Sequence, residues 1–194
     1  MRHVTQAVVF CAGLLVLAPA AAHADTYFSP FVGVNTGSGE KLRGSLDTSK
    51  PTFGLNLGGG LGTGVFATEI DFGYGPGLFG SESNYGKNSV LDFMGNLILG
   101  VPLHTGTGAV IEPYAQGGLG LIRTQIDGGA LFHQKSHTNN TGFNVGGGLV
   151  GLFRDNLGIR ADVRYFRTAS GNIIDNFDLG NIHYWRATIG VVFW

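Results

Sequence analysis

Apolar and polar residues alternate with a period of two through most of the chain after residue 24, where no helical apolar stripe of comparable length occurs. The alternation is clearest in segments 52–61, 66–74 and 157–165. Successive side chains of a β-strand point to opposite faces, so this pattern predicts strands with one apolar face. Looser segments of the same kind bring the set to eight strands of roughly 9–12 residues each. These looser segments cover residues 27–35, 89–101, 110–121, 142–153 and 182–194.

A soluble β-sandwich also alternates, but three further features favour a barrel that crosses a membrane. The polar faces carry paired charges beside glycines, whereas the apolar faces are continuous and aromatic. The segments have about the 9–11 residues that a tilted membrane strand needs. Short links alternate with long ones, as in an up-and-down barrel whose two termini lie in the periplasm. The short links are 62–64, 102–109 and 154–156, and the long ones are 36–51, 75–88, 122–141 and 167–181. The sequence therefore predicts an all-β fold, an eight-stranded antiparallel up-and-down transmembrane β-barrel.

The start of the chain has the three parts of a secretory signal: a short basic stretch, an apolar run over 8–17 and a small-x-small end. We expect cleavage between Ala24 and Asp25, with cleavage two residues earlier as the alternative. Residues 1–24 would then be a cleaved signal peptide and 25–194 the barrel domain. The apolar run is shorter than the roughly 20 residues that a membrane-spanning helix needs.

Composition excludes several other classes of protein. Lys and Arg total 12 and Asp and Glu total 13, whereas a nucleic-acid-binding chain carries a basic excess. The 34 glycines come with 43% hydrophobic residues, so the chain is not intrinsically disordered. The only cysteine, Cys11, lies within the predicted signal. Cysteine catalysis and thiolate metal sites are therefore not expected in the mature chain.

Aromatic residues cluster near both predicted ends of the strands. Such rings concentrate where a membrane protein meets lipid headgroups, so they predict two girdles. The outer girdle would hold Phe53, Phe72, Tyr74, Phe143, Tyr165 and Trp185, and the inner one Phe28, Phe66, Phe153, Phe193 and Trp194.

The phase of the last strand follows from one charge. An arginine at mid-bilayer on the lipid face costs about 2–4 kcal/mol. We therefore expect Arg186 to face the lumen, while Trp185, Ile189 and Phe193 face lipid. In this phase Trp194 becomes an interfacial terminal residue.

Charged residues on the predicted inner faces are expected to form a buried ion-pair network, because the guanidinium group of arginine suits bidentate pairing with carboxylates. Paired carboxylates also occur in acid–base catalysis, and the structural network is the favoured interpretation. An eight-stranded barrel has an interior just wide enough for side chains, so we expect a filled lumen. The network would comprise Glu69, Asp71, Asp92, Glu112, Arg160, Asp162, Arg164 and Arg186, among other inward residues that include Tyr27, Phe31, Met94, Tyr114, Gln116 and Phe166.

Other motifs give little support for nucleotide binding, metal binding or catalysis. Glycine patterns at 75–80 and 146–151 match dinucleotide-binding loops, but neither opens a helix, which phosphate binding requires. His133 and His137 are four apart in a predicted loop without an apparent third metal ligand. Neither the HExxH nor the GxSxG motif occurs. We expect no catalytic, metal-binding or cofactor-binding residues, no cofactor and no nucleic-acid partner.

The eight alternating segments and the terminal sequence 189–194 resemble the family of small outer-membrane barrels that includes OmpX, the opacity proteins and the membrane domain of OmpA. The resemblance implies export to the outer membrane of a Gram-negative bacterium. It also implies contact with outer-membrane lipid and lipopolysaccharide, and with the assembly machinery that reads a terminal aromatic residue. The usual last residue points outward, and Trp194 departs from that pattern.

The expected role is structural or interactive, in a monomer without enzymatic activity. Four long outer loops would contact a surface ligand or host component. A narrow porin-like channel is one alternative, and an outer-membrane lipid-modifying enzyme is another.

Overall fold

A computed structural model of the protein describes residues 26–39, 49–78, 87–106, 108–127, 135–153, 156–169, 173–174, 177–178 and 181–194. The predicted signal peptide and its cleavage site, including Ala24 and Asp25, lie outside this part of the chain. Among the described residues, none belongs to a helix long and apolar enough to cross a membrane.

The described residues include eleven strands, three more than the eight that the period-two pattern predicts. They are β1 (Thr26–Gly39), β2 (Lys50–Gly59), β3 (Phe66–Pro76), β4 (Lys87–Gly100), β5 (Leu103–His104), β6 (Val110–Asp127), β7 (Lys135–Phe153), β8 (Leu157–Thr168), β9 (Ile173–Ile174), β10 (Phe177–Asp178) and β11 (Ile182–Phe193).

Eight of these strands close into one antiparallel barrel, which confirms the predicted fold. Each of β1 to β4 pairs with the next, β4 pairs with β6, and β6, β7, β8 and β11 follow in order. β11 then pairs with β1, for example through Val32 and Ile189, and this ladder closes the ring. A closed ring leaves the barrel no free edge. The short strand β5 pairs with the start of β6, and β9 pairs with β10.

The strands β6 and β7 extend further than the sequence predicts. Residues 122–141 were expected to form a loop, but the ladder between the two strands continues to the pair Asp127 and Lys135. The alternation also continues, because Ile122 and Thr124 are buried while Arg123 between them is exposed. A strand can continue beyond the lipid, where its outward side chains are polar because they face water. The point at which the outward residues cease to be apolar is therefore not the end of the strand.

Side chains on the outside of the barrel form an apolar surface. Phe66 is 68% exposed, Val32 60% and Ile189 56%. Charged residues instead lie inside, since Asp71 and Arg186 are both 0% exposed. This reversal of the usual arrangement is what a barrel surrounded by lipid requires.

The barrel has two distinct ends. The first residue of β1, Thr26, and the last residue of the chain, Trp194, lie at one end, which we call the terminal end. The long connections between strands emerge at the other end, which we call the loop end. At the terminal end a turn joins β2 to β3, and its residues Gly60 and Gly62 have φ of 95° and 79°. Glycine adopts this left-handed region without steric cost.

Glycines on the inner face make room for long side chains that reach across the lumen. A Cβ added at Gly54 would lie 2.5 Å from the Phe31 ring. One added at Gly73 would lie 2.2 Å from Nη1 of Arg186. Close packing therefore requires glycine at these positions, and this explains part of the unusual glycine content.

Candidate functional site

The middle of the lumen holds a continuous network of ion pairs. Arg160 on β8 contacts Glu69 on β3 through its Nη1 atom, and its Nε lies 3.1 Å from an Asp162 carboxylate oxygen. Arg160 is only 2% exposed. Such a buried charge needs both pairing and hydrogen bonds to offset its loss of hydration.

Arg164, two residues further along β8, connects three carboxylates. Its Nη1 lies 3.2 Å from Glu69 and 3.0 Å from Asp71, and its Nε lies 3.0 Å from Asp162. Side chains two apart on a strand share a face, so the alternation of β8 places Arg160, Asp162 and Arg164 together in the lumen.

Arg186 on β11 completes the network towards the loop end. It contacts Asp71 at 2.5 Å and Asp92 at 2.8 Å. Its guanidinium also lies over two aromatic rings, at 4.4 Å from the centroid of Phe166 and 5.0 Å from that of Phe31. The phase of β11 is the one that the charge argument predicts: Arg186 faces inward and Trp185 faces outward.

Three tyrosine hydroxyls bond directly to this network. Tyr27 donates to Glu69 at 2.7 Å, and Tyr114 donates to Asp162 at 3.1 Å. Tyr184 donates to Asp92 at 3.2 Å. Tyr184 was missing from the predicted inward residues, although its position two residues before Arg186 was a sufficient signal.

Glu112 does not join the ion-pair network with which the sequence analysis grouped it. It accepts a hydrogen bond of 2.5 Å from the backbone N–H of Gly62, in the turn at the terminal end. Among the described side chains none forms an ion pair with Glu112. The next inward residue of β6, Tyr114, does reach the network, because its ring packs against the Arg160 guanidinium at 4.8 Å.

An apolar cluster closes the lumen at the terminal end, below the network. Leu61 from the turn between β2 and β3 is buried in it. Trp194 packs against this cluster. The prediction that Trp194 belongs to the inner girdle is therefore wrong. The strand phase is the cause, because Trp194 continues the inward series of Val192. The cluster consists of Tyr27, Leu61, Ala67, Ile98, Tyr114, Val150, Leu152 and Val192.

A second apolar layer covers the network on the side of the loop end. The rings of Phe166 and Tyr184 stack with centroids 4.8 Å apart and planes within 1°. Val90 and Ile122 are fully buried in the same part of the barrel. The charged network therefore lies between two groups of buried apolar and aromatic side chains.

The remaining predicted girdle residues lie on the outside of the barrel. Three cross-strand pairs of rings are in contact there: Phe28 with Phe193 at the terminal end, and Phe53 with Tyr74 and Tyr165 with Trp185 towards the loop end. Tyr74 and Tyr165 are half-buried, and the exposed members are Phe28, Phe53, Phe66, Phe72, Phe143, Phe153, Trp185 and Phe193.

The two histidines considered as metal ligands are not brought together in the described structure. His137 is exposed on β7, and His133 lies outside the described residues. Within the described ranges there is no group of three or more His, Cys, Asp or Glu side chains placed to hold a metal ion.

A closed antiparallel barrel with an apolar outside and a charged interior is a transmembrane β-barrel. The chain belongs to the family described as the outer membrane protein beta-barrel domain, which it matches over residues 8–193. This membership confirms the predicted family and makes the chain an outer-membrane barrel protein.

Solved structures that share this fold include three bacterial proteins. Neisserial surface protein A aligns with a TM-score of 0.66 at 15% identity, over 87% of this chain and 96% of its own. The N-terminal barrel of Pseudomonas aeruginosa OprF gives 0.52 at 15% identity, over 88% and 97%.

Ail, the attachment invasion locus protein of Yersinia pestis, gives 0.54 at 15% identity, over 88% of this chain and 99% of its own. Ail has also been solved in complex with the heparin analogue sucrose octasulfate. A search of curated proteins gives no match.

Proposed function

We propose that the protein is a non-conducting, non-enzymatic outer-membrane barrel with a structural or surface-interaction role. In this proposal the terminal end faces the periplasm and the loop end faces the outside. The supporting observation is the filled lumen, in which seven paired charged residues lie between two apolar layers. A plug of this kind stabilises a barrel but leaves no continuous aqueous path along its axis.

The surface-interaction role is supported by the long connections at the loop end. They follow β1, β3, β6 and β8, and loops of this kind on a rigid scaffold often carry function. The complex of Ail with a heparin analogue supports the idea that this fold can present a ligand-binding surface. We propose a surface ligand or host component as the partner of these loops.

The remaining partners follow from the proposed location. Lipid and lipopolysaccharide would surround the apolar wall. The assembly machinery of the outer membrane would recognise the aromatic end of the last strand, where Phe193 faces outward. A monomer is expected because the ring of eight strands is closed and needs no second copy. A cleaved signal peptide over 1–24 would deliver the chain to this location.

Planar-bilayer recording of the purified full barrel tests the filled lumen, with a wide porin as the positive control. We expect no steady conductance of porin size. A stable, reproducible conductance from the wild type would instead favour a channel. A variant with Arg164→Ala provides a matched comparison, because loss of its three carboxylate contacts should admit water and increase the frequency of openings.

The role of the loops needs a separate test. Replacing residues 128–134 with a short turn should leave the heat-dependent shift in gel migration unchanged, because the barrel wall stays complete. The same change should reduce binding of intact cells to a sulfated polysaccharide if that loop contributes to the contact surface. Undiminished binding by variants shortened in all four loops would overturn the surface-interaction role.

A further inference from the structure

The ion-pair network contains one more acidic side chain than basic side chains. If every carboxyl group were ionised, four negative charges would face three positive ones, and each of these seven residues is at most 4% exposed. A buried charge without compensation is costly, and a titratable group in such a place avoids the cost by changing its protonation. The acidic members are Glu69, Asp71, Asp92 and Asp162, and the basic members are Arg160, Arg164 and Arg186.

Asp92 is the carboxyl group of this network with the least compensation. It contacts one guanidinium group, that of Arg186, at 2.8 Å. Asp71 contacts two, those of Arg164 and Arg186, and the other two carboxyl groups also contact two each. The hydroxyl of Tyr184 donates to Asp92 at 3.2 Å but brings no positive charge. The surplus negative charge of the network would therefore fall on Asp92.

Asp71 is the immediate acidic neighbour of Asp92. Arg186 bridges the two residues, with Nη2 at 2.5 Å from Asp71 and Nη1 at 2.8 Å from Asp92. Their carboxyl groups also lie within hydrogen-bonding reach of each other. Two ionised carboxylates repel each other at this range, whereas a single proton between them replaces the repulsion with a hydrogen bond.

The other strands around Asp92 bring no further positive charge from the described residues. Ile122 on β6 is its cross-strand partner, and Phe31 on β1 lies over the guanidinium that Asp92 contacts. Lys50 on β2 lies beside Gly77 towards the loop end, and no ion pair between described side chains includes it. The titratable and charged groups that face Asp92 are thus Asp71 on β3, Arg186 and Tyr184 on β11 and, through Asp71, Arg164 on β8.

We propose that the folded barrel binds one proton at the pair Asp71 and Asp92 and keeps it at neutral pH. Asp92 would carry the proton and donate it in a hydrogen bond to the carboxylate of Asp71. The network would then hold three negative and three positive charges. An exposed aspartate is ionised at neutral pH, so the chain takes up one proton when it folds. Because the folded state then binds more protons than the unfolded state, stability falls as the pH rises.

Infrared spectroscopy of the full barrel at pH 7 tests the proposal directly. The protein carries aspartate labelled with ¹³C at the side-chain carboxyl and is kept in a detergent without ester groups. The C=O stretch of a carboxylic acid is separate from the amide and carboxylate bands, and the label identifies it as aspartic. We expect this band in the wild type and its loss in Asp92→Asn. Glu112→Gln, which removes a lumen carboxyl group outside the network, is the matched control and should keep the band.

A heat-dependent shift in gel migration verifies that each variant is folded. Absence of the aspartic acid band from the folded wild type, or its persistence in folded Asp92→Asn, would overturn the proposal. The wild-type spectrum decides alone if that variant does not fold.

Urea titration in vesicles between about pH 5 and pH 7 provides a second measurement. Relative to Asp92→Asn, the unfolding equilibrium constant of the wild type should increase about tenfold for each pH unit, since one proton is lost on unfolding. A ratio that does not change with pH would contradict the uptake of a proton. Both measurements are independent of conductance and of ligand binding by the loops, so their failure is distinguishable from failure of the proposed function.

Discussion

Replacing Arg164 with methionine probes the centre of the lumen network. Methionine keeps much of the length of the side chain but removes the positive charge and every hydrogen-bond donor. In the wild type Arg164 lies 3.0–3.2 Å from Glu69, Asp71 and Asp162. The variant would leave these carboxylates with fewer partners in a buried site.

The expected loss of stability follows from that burial. Removing one member of a buried ion pair costs about 3–5 kcal/mol, because the remaining charge stays desolvated. At about 1.4 kcal/mol per factor of ten, the folding equilibrium constant should fall by roughly two to three and a half orders of magnitude.

Asp92→Asn should cost less than half as much. The network contains four carboxylates and three guanidinium groups, so this variant balances the charges. The new amide oxygen can still accept a hydrogen bond from Tyr184, which donates to Asp92 in the wild type.

Urea titration of the barrel in lipid vesicles measures both variants, with the folded fraction read from the gel shift of unboiled samples. The free energy of unfolding is compared at an unchanged urea dependence, so that only stability differs. A loss below about 1 kcal/mol for Arg164→Met would refute the reasoning, since that is the cost of an exposed pair. A larger loss for Asp92→Asn than for Arg164→Met would refute the charge count.

Three further predictions address the wall, the packing and the topology. Ile189→Arg, on the exposed apolar wall, should lower stability by about 2–4 kcal/mol in vesicles, whereas Gln125→Arg, above the band, should change it little; equal effects would contradict the assigned lipid face. Gly73→Ala should destabilise the barrel by about 1–3 kcal/mol, because its Cβ would lie 2.2 Å from a guanidinium nitrogen, while Gly106→Ala, with nothing within 4 Å, should be neutral in the same titration. An epitope tag within 128–134 should be labelled by antibody on intact cells, and labelling only after permeabilisation would reverse the proposed orientation.

The closed barrel was predictable because the wall obeys one simple rule. An outward side chain meets lipid and an inward one meets the lumen, so each residue reports its own environment. Arg186 shows the strength of this rule, since one charge was enough to assign the phase of β11. The same rule identified the seven residues of the ion-pair network.

Other features of the barrel depend on distances between residues that are far apart in the sequence, and the alternation of apolar and polar residues does not report these distances. Glu112 has the inward phase of the network residues, yet it bonds to Gly62 because a turn of the backbone enters the lumen beside it. The ends of β6 and β7 were misjudged, since the apolar signal stops at the limit of the lipid while hydrogen bonding between strands continues. Trp194 was assigned to a girdle by residue type, although its phase brings it to the apolar cluster.

The long sequence separation of the lumen contacts has a consequence for the lifetime of the folded barrel. Arg160 and Glu69 are 91 residues apart, and Arg186 and Asp71 are 115 apart. Such contacts form only when β3 has come together with β8 and β11, so we expect them to contribute little to a transition state that precedes closure of the barrel. Interactions absent from that state slow unfolding without accelerating folding. We therefore expect the buried charges to slow unfolding of the closed barrel. The rate of folding into the membrane would depend on the apolar wall instead.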